Sequence, residues 1–150
     1  MTETQLSAQI GRWLDEQQAL HRLTHDRYNS GVAAARSGRR IAMAARGTAD
    51  RIVRVRLDGN VCRGRRLARP VMLEVKAPGN GVLCPPPGVD WRDEKMCRKY
   101  AQYRWLKAQF NVGAYCCVVH SLPATMVHIQ NAALGDDSPG PEQWAARTDA

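Results

Sequence analysis

Glu74-Val75-Lys76 closes an apolar run that begins Val71-Met72-Leu73. Residues of this kind form a buried strand on which alternate side chains share a face, so Glu74 and Lys76 point the same way. A carboxylate and an ammonium at the end of a buried strand are costly to desolvate unless they pair, hold a cation or face a cleft. Asp50, in Gly47-Thr48-Ala49-Asp50, opens a second β-rich run, Ile52-Val53-Arg54-Val55-Arg56-Leu57, which is expected to turn at Asp58-Gly59. Two acidic strand ends within reach of each other offer hard oxygen donors to Mg²⁺, which keeps several waters and completes its shell with substrate phosphate. A cation held there lowers the pKa of a bound water and offsets charge developing on a scissile phosphate, while Lys76 orients that water or neutralises the phosphorane. Without chemistry, the same residues reduce to a Glu74–Lys76 ion pair on a half-exposed strand and a turn capped by Asp50.

The elements that must position these groups are legible around them. Thr2 and Gln5 form a capping-box pattern, and Leu6, Ile10, Trp13 and Leu14 make an amphipathic stripe to about Leu20, with Glu3 on the stripe at its first turn. Residues 23–28 and 41–45 are expected as strands, with a Gly- and Arg-containing loop over 31–40. Pro85-Pro86-Pro87-Gly88 breaks the chain. Asp90 then reads as an N-cap for one helix from about Trp91 to Asn111, with Met96, Tyr103, Leu106 and Phe110 at core spacing and Gly113 as terminator. Arg92, Lys95, Lys99 and Gln102 make a second stripe, read either as a solvated basic face or as a phosphate-tracking surface. Residues 114–120 form an apolar strand and 123–134 a short final helix. The Gly, Pro and Asp content after Gly135 predicts an acidic, structureless tail, so the domain is expected over 1–134 and the tail over 135–150.

Composition narrows the partners. Of 22 Lys and Arg residues only Arg147 follows Gly135, whereas Asp136, Asp137, Glu142 and Asp149 do, so residues 1–134 hold 21 basic against 10 acidic residues. That excess attracts polyphosphate backbones and makes binding salt-dependent. No segment has the length or apolar purity of a membrane span, and the first residues do not begin a signal peptide, which points to the cytoplasm. The five cysteines, Cys62, Cys84, Cys97, Cys116 and Cys117, lack Cys-x-x-Cys spacing and are expected as free thiols. The four histidines show no metal-ligand spacing, and no phosphate-binding Gly-rich motif is present. Arg63, Arg65 and Arg66 fall on a hairpin extension after Asp58-Gly59 that reads as a backbone-gripping arm or as a solvated turn.

Several elements recur in a familiar order: Glu3 followed by Ile10 and Leu14, Arg27-Tyr28-Asn29-Ser30-Gly31, Gly47-Thr48-Ala49-Asp50, Leu73-Glu74-Val75-Lys76-Ala77-Pro78-Gly79, and Gln102 ahead of Gly113. In these motifs, over residues 3 to about 122, the chain resembles the VRR-NUC branch of the PD-(D/E)XK nucleases, small virus-type replication-repair nucleases of phages and bacteria. It departs from that pattern in Ala49, where Pro is usual, and in an insertion over 81–101. The resemblance implies an α/β, restriction-endonuclease-like fold, with a mixed central sheet flanked by helices. It also implies a Mg²⁺-dependent endodeoxyribonuclease, with Mn²⁺ as a substitute, acting on DNA that includes branched or structured replication and repair intermediates. Asp50, Glu74 and the Val75 carbonyl would hold the metal, Lys76 would manage the attacking water, and Glu3 and Gln102 would complete the shell. Asn29, Arg36, Arg39, Arg40, Lys95 and Lys99 would contact DNA. One site cuts one strand, so a homodimer is the expected assembly. The alternative is a non-catalytic nucleic-acid-binding protein that retains the fold; an RNA-processing role is disfavoured by the lack of an aromatic stacking cluster.

Overall fold

A computed structural model describes residues 1–28, 32–34, 40–42, 47–62 and 64–145. Helix α1 spans Glu3–Ala19 and opens on the capping box: the Thr2 hydroxyl accepts from the Gln5 N–H at 3.2 Å, and the Gln5 side chain accepts from the Thr2 N–H at 2.8 Å. Leu6, Ile10 and Leu14 form its buried stripe. There follow β1 (Leu23–Arg27), β2 (Val32–Ala34), β3 (Arg40–Ala42), β4 (Arg51–Cys62) and β5 (Arg65–Val75). The second half comprises α2 (Glu94–Lys99), α3 (Ala101–Asn111), β6 (Tyr115–Val119), α4 (Leu122–Ala133) and α5 (Pro141–Trp144).

Four strands form one mixed sheet in the order β1-β4-β5-β6, antiparallel except for the parallel β5–β6 pair. Parallel neighbours need a crossover, here supplied by the segment carrying α2 and α3. Alternation on the strands feeds two cores. Val53, Val55, Val71, Leu73, Tyr115 and Cys117 pack under α1 and α4, while Met72, Cys116 and Val118 pack with Leu106 of α3 and Trp144 of α5 on the other face. The chain is therefore mixed α/β, with helices on both sides of a mixed sheet. The adjacent Cys116 and Cys117 divide between the two cores as strand alternation requires, and Cys84, Cys97, Cys116 and Cys117 are free thiols. No helix among the described residues is long and apolar enough to cross a membrane.

Four expectations need correction. The 31–40 segment is not all loop, because β2 lies within it and pairs antiparallel with β3. Asp58-Gly59 is not the hairpin turn: β4 runs on to Cys62, and the register shifts between Arg56 and Val61, with Gly59 at a φ of 76°. Gly thus serves a bulge rather than the reversal itself. The helix expected from Trp91 to Asn111 is two helices separated at Tyr100 (φ −107°, ψ 24°), a buried residue whose ring meets Trp91 edge to face at 6.1 Å. Its cap is Asp93, which accepts from the Lys95 N–H at 2.9 Å, whereas Asp90 makes a local turn with the Arg92 N–H at 3.0 Å.

The largest correction concerns the tail. Residues 135–145 dock along the outer edge of β6. The Ser138 hydroxyl accepts from the Cys116 N–H at 2.8 Å, and the Gln143 amide brackets Val118, accepting from its N–H at 2.9 Å and donating to its carbonyl at 2.7 Å. Trp144 is fully buried and donates its indole N–H to the Cys116 carbonyl at 3.0 Å. Val82, from the expected insertion, donates to the Trp144 carbonyl at 2.8 Å, and a parallel bridge joins Val82 to Ala145. Composition failed as a guide because the polar residues here satisfy a strand edge and one aromatic fills the core beneath it.

Candidate active site

The β4–β5 register pairs Arg51 with Leu73, which sets Asp50 opposite Glu74 at one end of the sheet. Their backbones and carboxylates are cross-linked: the Val75 N–H donates to Asp50 Oδ2 at 2.8 Å, and the Asp50 N–H donates to Glu74 Oε2 at 3.3 Å. Lys76 Nζ lies 3.2 Å from Glu74 Oε1, and Gln102, in the first turn of α3, donates to the same oxygen at 2.8 Å. Glu74 is only 2 % exposed. The ion pair that sequence alone allows is therefore present, but on a buried carboxylate rather than a half-exposed one. The Asp50 carbonyl also accepts from the Tyr28 N–H at 2.8 Å, tying the Arg27-Tyr28 segment to the site.

The electrostatics are unbalanced toward negative charge. Burial, then the neighbouring Asp50 carboxylate, pushes the Glu74 carboxyl up from 4.5 to about 7, and Lys76 only partly offsets this. Burial also raises Asp50, opposed by the Val75 N–H and Lys76. Between pH 4.5 and about 7 the folded chain thus holds a proton on Glu74 that the unfolded chain has lost, so this group's contribution to stability is fully present below 4.5 and is lost as pH rises through about 7. In chelator, thermal stability is expected to drop across that window by up to about 3 kcal/mol. Glu74→Gln should flatten the slope; an unchanged slope would assign it to other groups.

The other expected site residues divide. Glu3 is exposed rather than buried on its stripe, and its Oε2 accepts from the Ala77 N–H at 3.3 Å, just past Lys76. It borders the site and adds negative potential at Asp50 without contacting either carboxylate in hydrogen-bonding range. Val75 is buried and offers its N–H to Asp50. Lys95 and Lys99 are exposed on α2, with Lys99 Nζ 5.5 Å from the Tyr100 ring centroid. Asn29, Arg36 and Arg39 lie outside the described residues, and of Arg40 only its place at the start of β3 is described.

Two positioning features escape a reading of motifs. Gly47 has a φ of 83° and backs onto α3 so closely that a Cβ would lie 2.3 Å from the Ala101 carbonyl oxygen and 2.8 Å from the Gln102 nitrogen. Gly47→Ala should cost about 3 kcal/mol through strain and backbone overlap, and should dislodge Gln102 from Glu74. Gly59→Ala, with a similar φ but nothing within 4 Å, should cost about 1 kcal/mol. Parallel unfolding curves would check the difference.

The second feature is Arg51, buried beside Asp50. Its guanidinium donates to the Ser7 carbonyl at 3.2 Å and to His25 Nδ1 at 3.3 Å, leaving Nε without a partner among the described residues. Because Nδ1 must accept, His25 Nε2 carries the proton in its 2.7 Å contact with Asp15. Gly11 makes room for the arrangement, since a Cβ there would sit 2.5 Å from the guanidinium. Arg51 thereby fixes α1, and with it Glu3, against β4. An Arg opening an apolar strand and a Gly inside an amphipathic helix were the available signals.

The donor set fits a small hard cation: two carboxylates held together, with Asp50 Oδ1 carrying no protein hydrogen bond among the described residues. No group of three or more His, Cys, Asp or Glu residues is arranged to hold a metal among the described residues. The fit is consequently to a cation that takes one or two carboxylates and fills its shell with water and phosphate, not to an all-protein cage. Comparison with known proteins returned no matching family model, no matching curated protein and no matching solved structure.

Proposed function

We propose that the chain is a metal-dependent nuclease of the restriction-endonuclease-like type, hydrolysing phosphodiester bonds in DNA. The observation that carries this reading is the convergence of Asp50, Glu74, Lys76 and Gln102, from separate parts of the chain, at one end of the sheet. Asp50 and Glu74 would hold Mg²⁺ or Mn²⁺, with the Val75 carbonyl as a further oxygen donor. When bound, the cation supplies Lewis-acid stabilisation of phosphoryl oxygen and a water of lowered pKa. Lys76 brings an ammonium to the same place, where it can orient the attacking water and offset charge developing on phosphate. Gln102 holds the Glu74 carboxylate in one orientation, and Arg51 holds α1 so that Glu3 borders the cleft. The excess of basic residues over 1–134 suits a polyanionic substrate. The assembly proposed is a homodimer and the setting cytoplasmic.

A non-catalytic nucleic-acid-binding protein with the same architecture would bind DNA without consuming it. Incubating the protein with labelled linear and branched DNA separates the two. Cleavage is expected with Mg²⁺ and Mn²⁺, whereas Ca²⁺, with its larger and looser shell, should permit binding with little turnover. Cleavage that survives EDTA and exhaustive dialysis would overturn the metal mechanism; DNA binding with no cleavage in any cation would favour the non-catalytic reading.

A further inference from the structure

Asp50, Ile52, Arg54 and Arg56 alternate with the buried Arg51, Val53 and Val55, so the sheet face that carries the candidate site also carries Arg54 and Arg56. On β5 the same face runs from Glu74 through Met72, Pro70 and Ala68 to Arg66; the register sets Arg54 against Pro70 and Arg56 against Ala68. Helix α3 packs against β6, and its core contacts reach Met72 and, at the margin, Ile52. Beyond Ile52 the face bears exposed arginines. Arg54, Arg56 and Arg66 join His21 and Arg22 in lining an open groove of about 600 Å³ between the α1–β1 turn and the β4–β5 arm, with no carboxylate in its lining among the described residues. Arg54 pairs with Asp26 at 2.8 Å and Arg66 stands 4.0 Å from Asp58, pairs half open to solvent that a phosphate can replace cheaply. Arg56 has no ion pair among the described residues.

We propose that the β4–β5 arm is a phosphate track for one flank of a DNA duplex, reading its backbone through Arg54, Arg56 and Arg66 while the cut is made at Glu74. This deepens, and rests on, the nuclease reading of the site. Eight residues of extended β5 separate Glu74 from Arg66, about 26 Å at roughly 3.3 Å per residue. At about 3.4 Å per nucleotide along one strand, that reaches about eight nucleotides from the scissile phosphate. Because the arm leaves each site in one direction, the requirement is one-sided for the strand that site cuts, and in a two-fold dimer the partner's arm makes the mirror demand for the other strand. Duplex on the arm side must extend about eight base pairs, while the other flank is under no such demand from the arm.

The test replaces all three arginines in one variant, R54Q/R56Q/R66Q, with R54K/R56K/R66K as the charge-preserving counterpart. Binding of a 24-base-pair duplex in EDTA, followed across salt, needs no catalysis. The slope of log affinity against log salt should shrink by about 3 for each protomer bound in the Gln variant, since each lost phosphate contact removes about 0.9, and should largely recover in the Lys variant. Thermal unfolding of both should stay near wild type, because the pairs removed are exposed. With Mg²⁺ and each strand labelled separately, wild type should cut a given strand at least tenfold more slowly when the flank under that site's arm is trimmed from twelve base pairs to four, and trimming the opposite flank should not slow that strand. An unchanged salt slope, or indifference to trimming on both flanks in a wild type that cuts, overturns the track. So does loss of sedimentation with anionic lipid vesicles while DNA binding stays intact, which would assign the arm to a lipid surface. A wild type that binds with the arm-dependent slope yet cuts no DNA supports the track and counts against hydrolysis.

Discussion

Glu74→Ala is expected to abolish cleavage in Mg²⁺ while DNA affinity in EDTA holds or rises. The variant removes a negative ligand beside the proposed phosphate path, so the cation loses its seat and the backbone loses a repulsive neighbour. Asp50→Ala should behave alike. Lys76→Ala differs in kind: losing one positive charge should weaken DNA binding modestly, but cleavage should fall on the order of a hundredfold if its ammonium acts on charge developed during reaction. Stability supplies the opposing test. Glu74 is buried against a second carboxylate and is raised to about 7, which marks the cluster as a burden on the metal-free fold above that pH. The near-isosteric Glu74→Gln should therefore melt at or above the wild-type temperature at pH 8 in chelator. If the residues were only a structural ion pair, all three Ala variants would melt lower while activity per folded molecule stayed constant. Cleavage, affinity and unfolding measured on the same preparations distinguish the two.

Trp144→Ala should be the most damaging single substitution outside the site, costing about 3 to 5 kcal/mol. The indole is fully buried, meets Phe110 and Tyr103 edge to face at 5.7 and 6.4 Å, and donates to the Cys116 carbonyl. Removing it leaves a cavity beneath α3 and strips the Cys116 carbonyl of its shorter hydrogen bond, leaving it only the Ser138 hydroxyl at 3.4 Å. Since α3 carries Gln102, activity should fall with stability. Trp144→Phe, which refills most of the volume but not the hydrogen bond, should recover the larger part of the loss. Chemical denaturation of both variants would check this; a Trp144→Ala cost below about 1 kcal/mol would mean that the tail is not part of the core.

The acids of the site were readable because strand alternation is a local property: Glu74 and Lys76 had to share a face, and an acid opening the neighbouring apolar strand had few other places to go. Gln102 was readable through the resemblance, and the structure brings it onto Glu74. Glu3 was harder. Its place in the first turn follows from the capping box, but its exposure depends on how α1 sits against β4, which Arg51 and Gly11 decide through a contact between distant residues. The break at Tyr100 was hidden because the residues on either side are good helix formers, and only burial of the ring beside Trp91 distinguishes the site of the bend. The tail was misread for a related reason. Composition registers Gly, Pro and Asp but not that Ser138 and Gln143 face a strand whose backbone groups lack partners.

That docking also governs how this chain behaves among its own copies. A terminal strand as apolar as β6 is a template on which another extended segment can add, the first step toward edge-to-edge association. Here Ser138, Gln143 and Trp144 occupy its N–H and carbonyl groups with side chains, which cannot propagate a ladder as a further strand would. The C-terminal segment is in this sense a stopper on sheet growth, and a chain ending at Leu134 would present the bare edge and be prone to self-association.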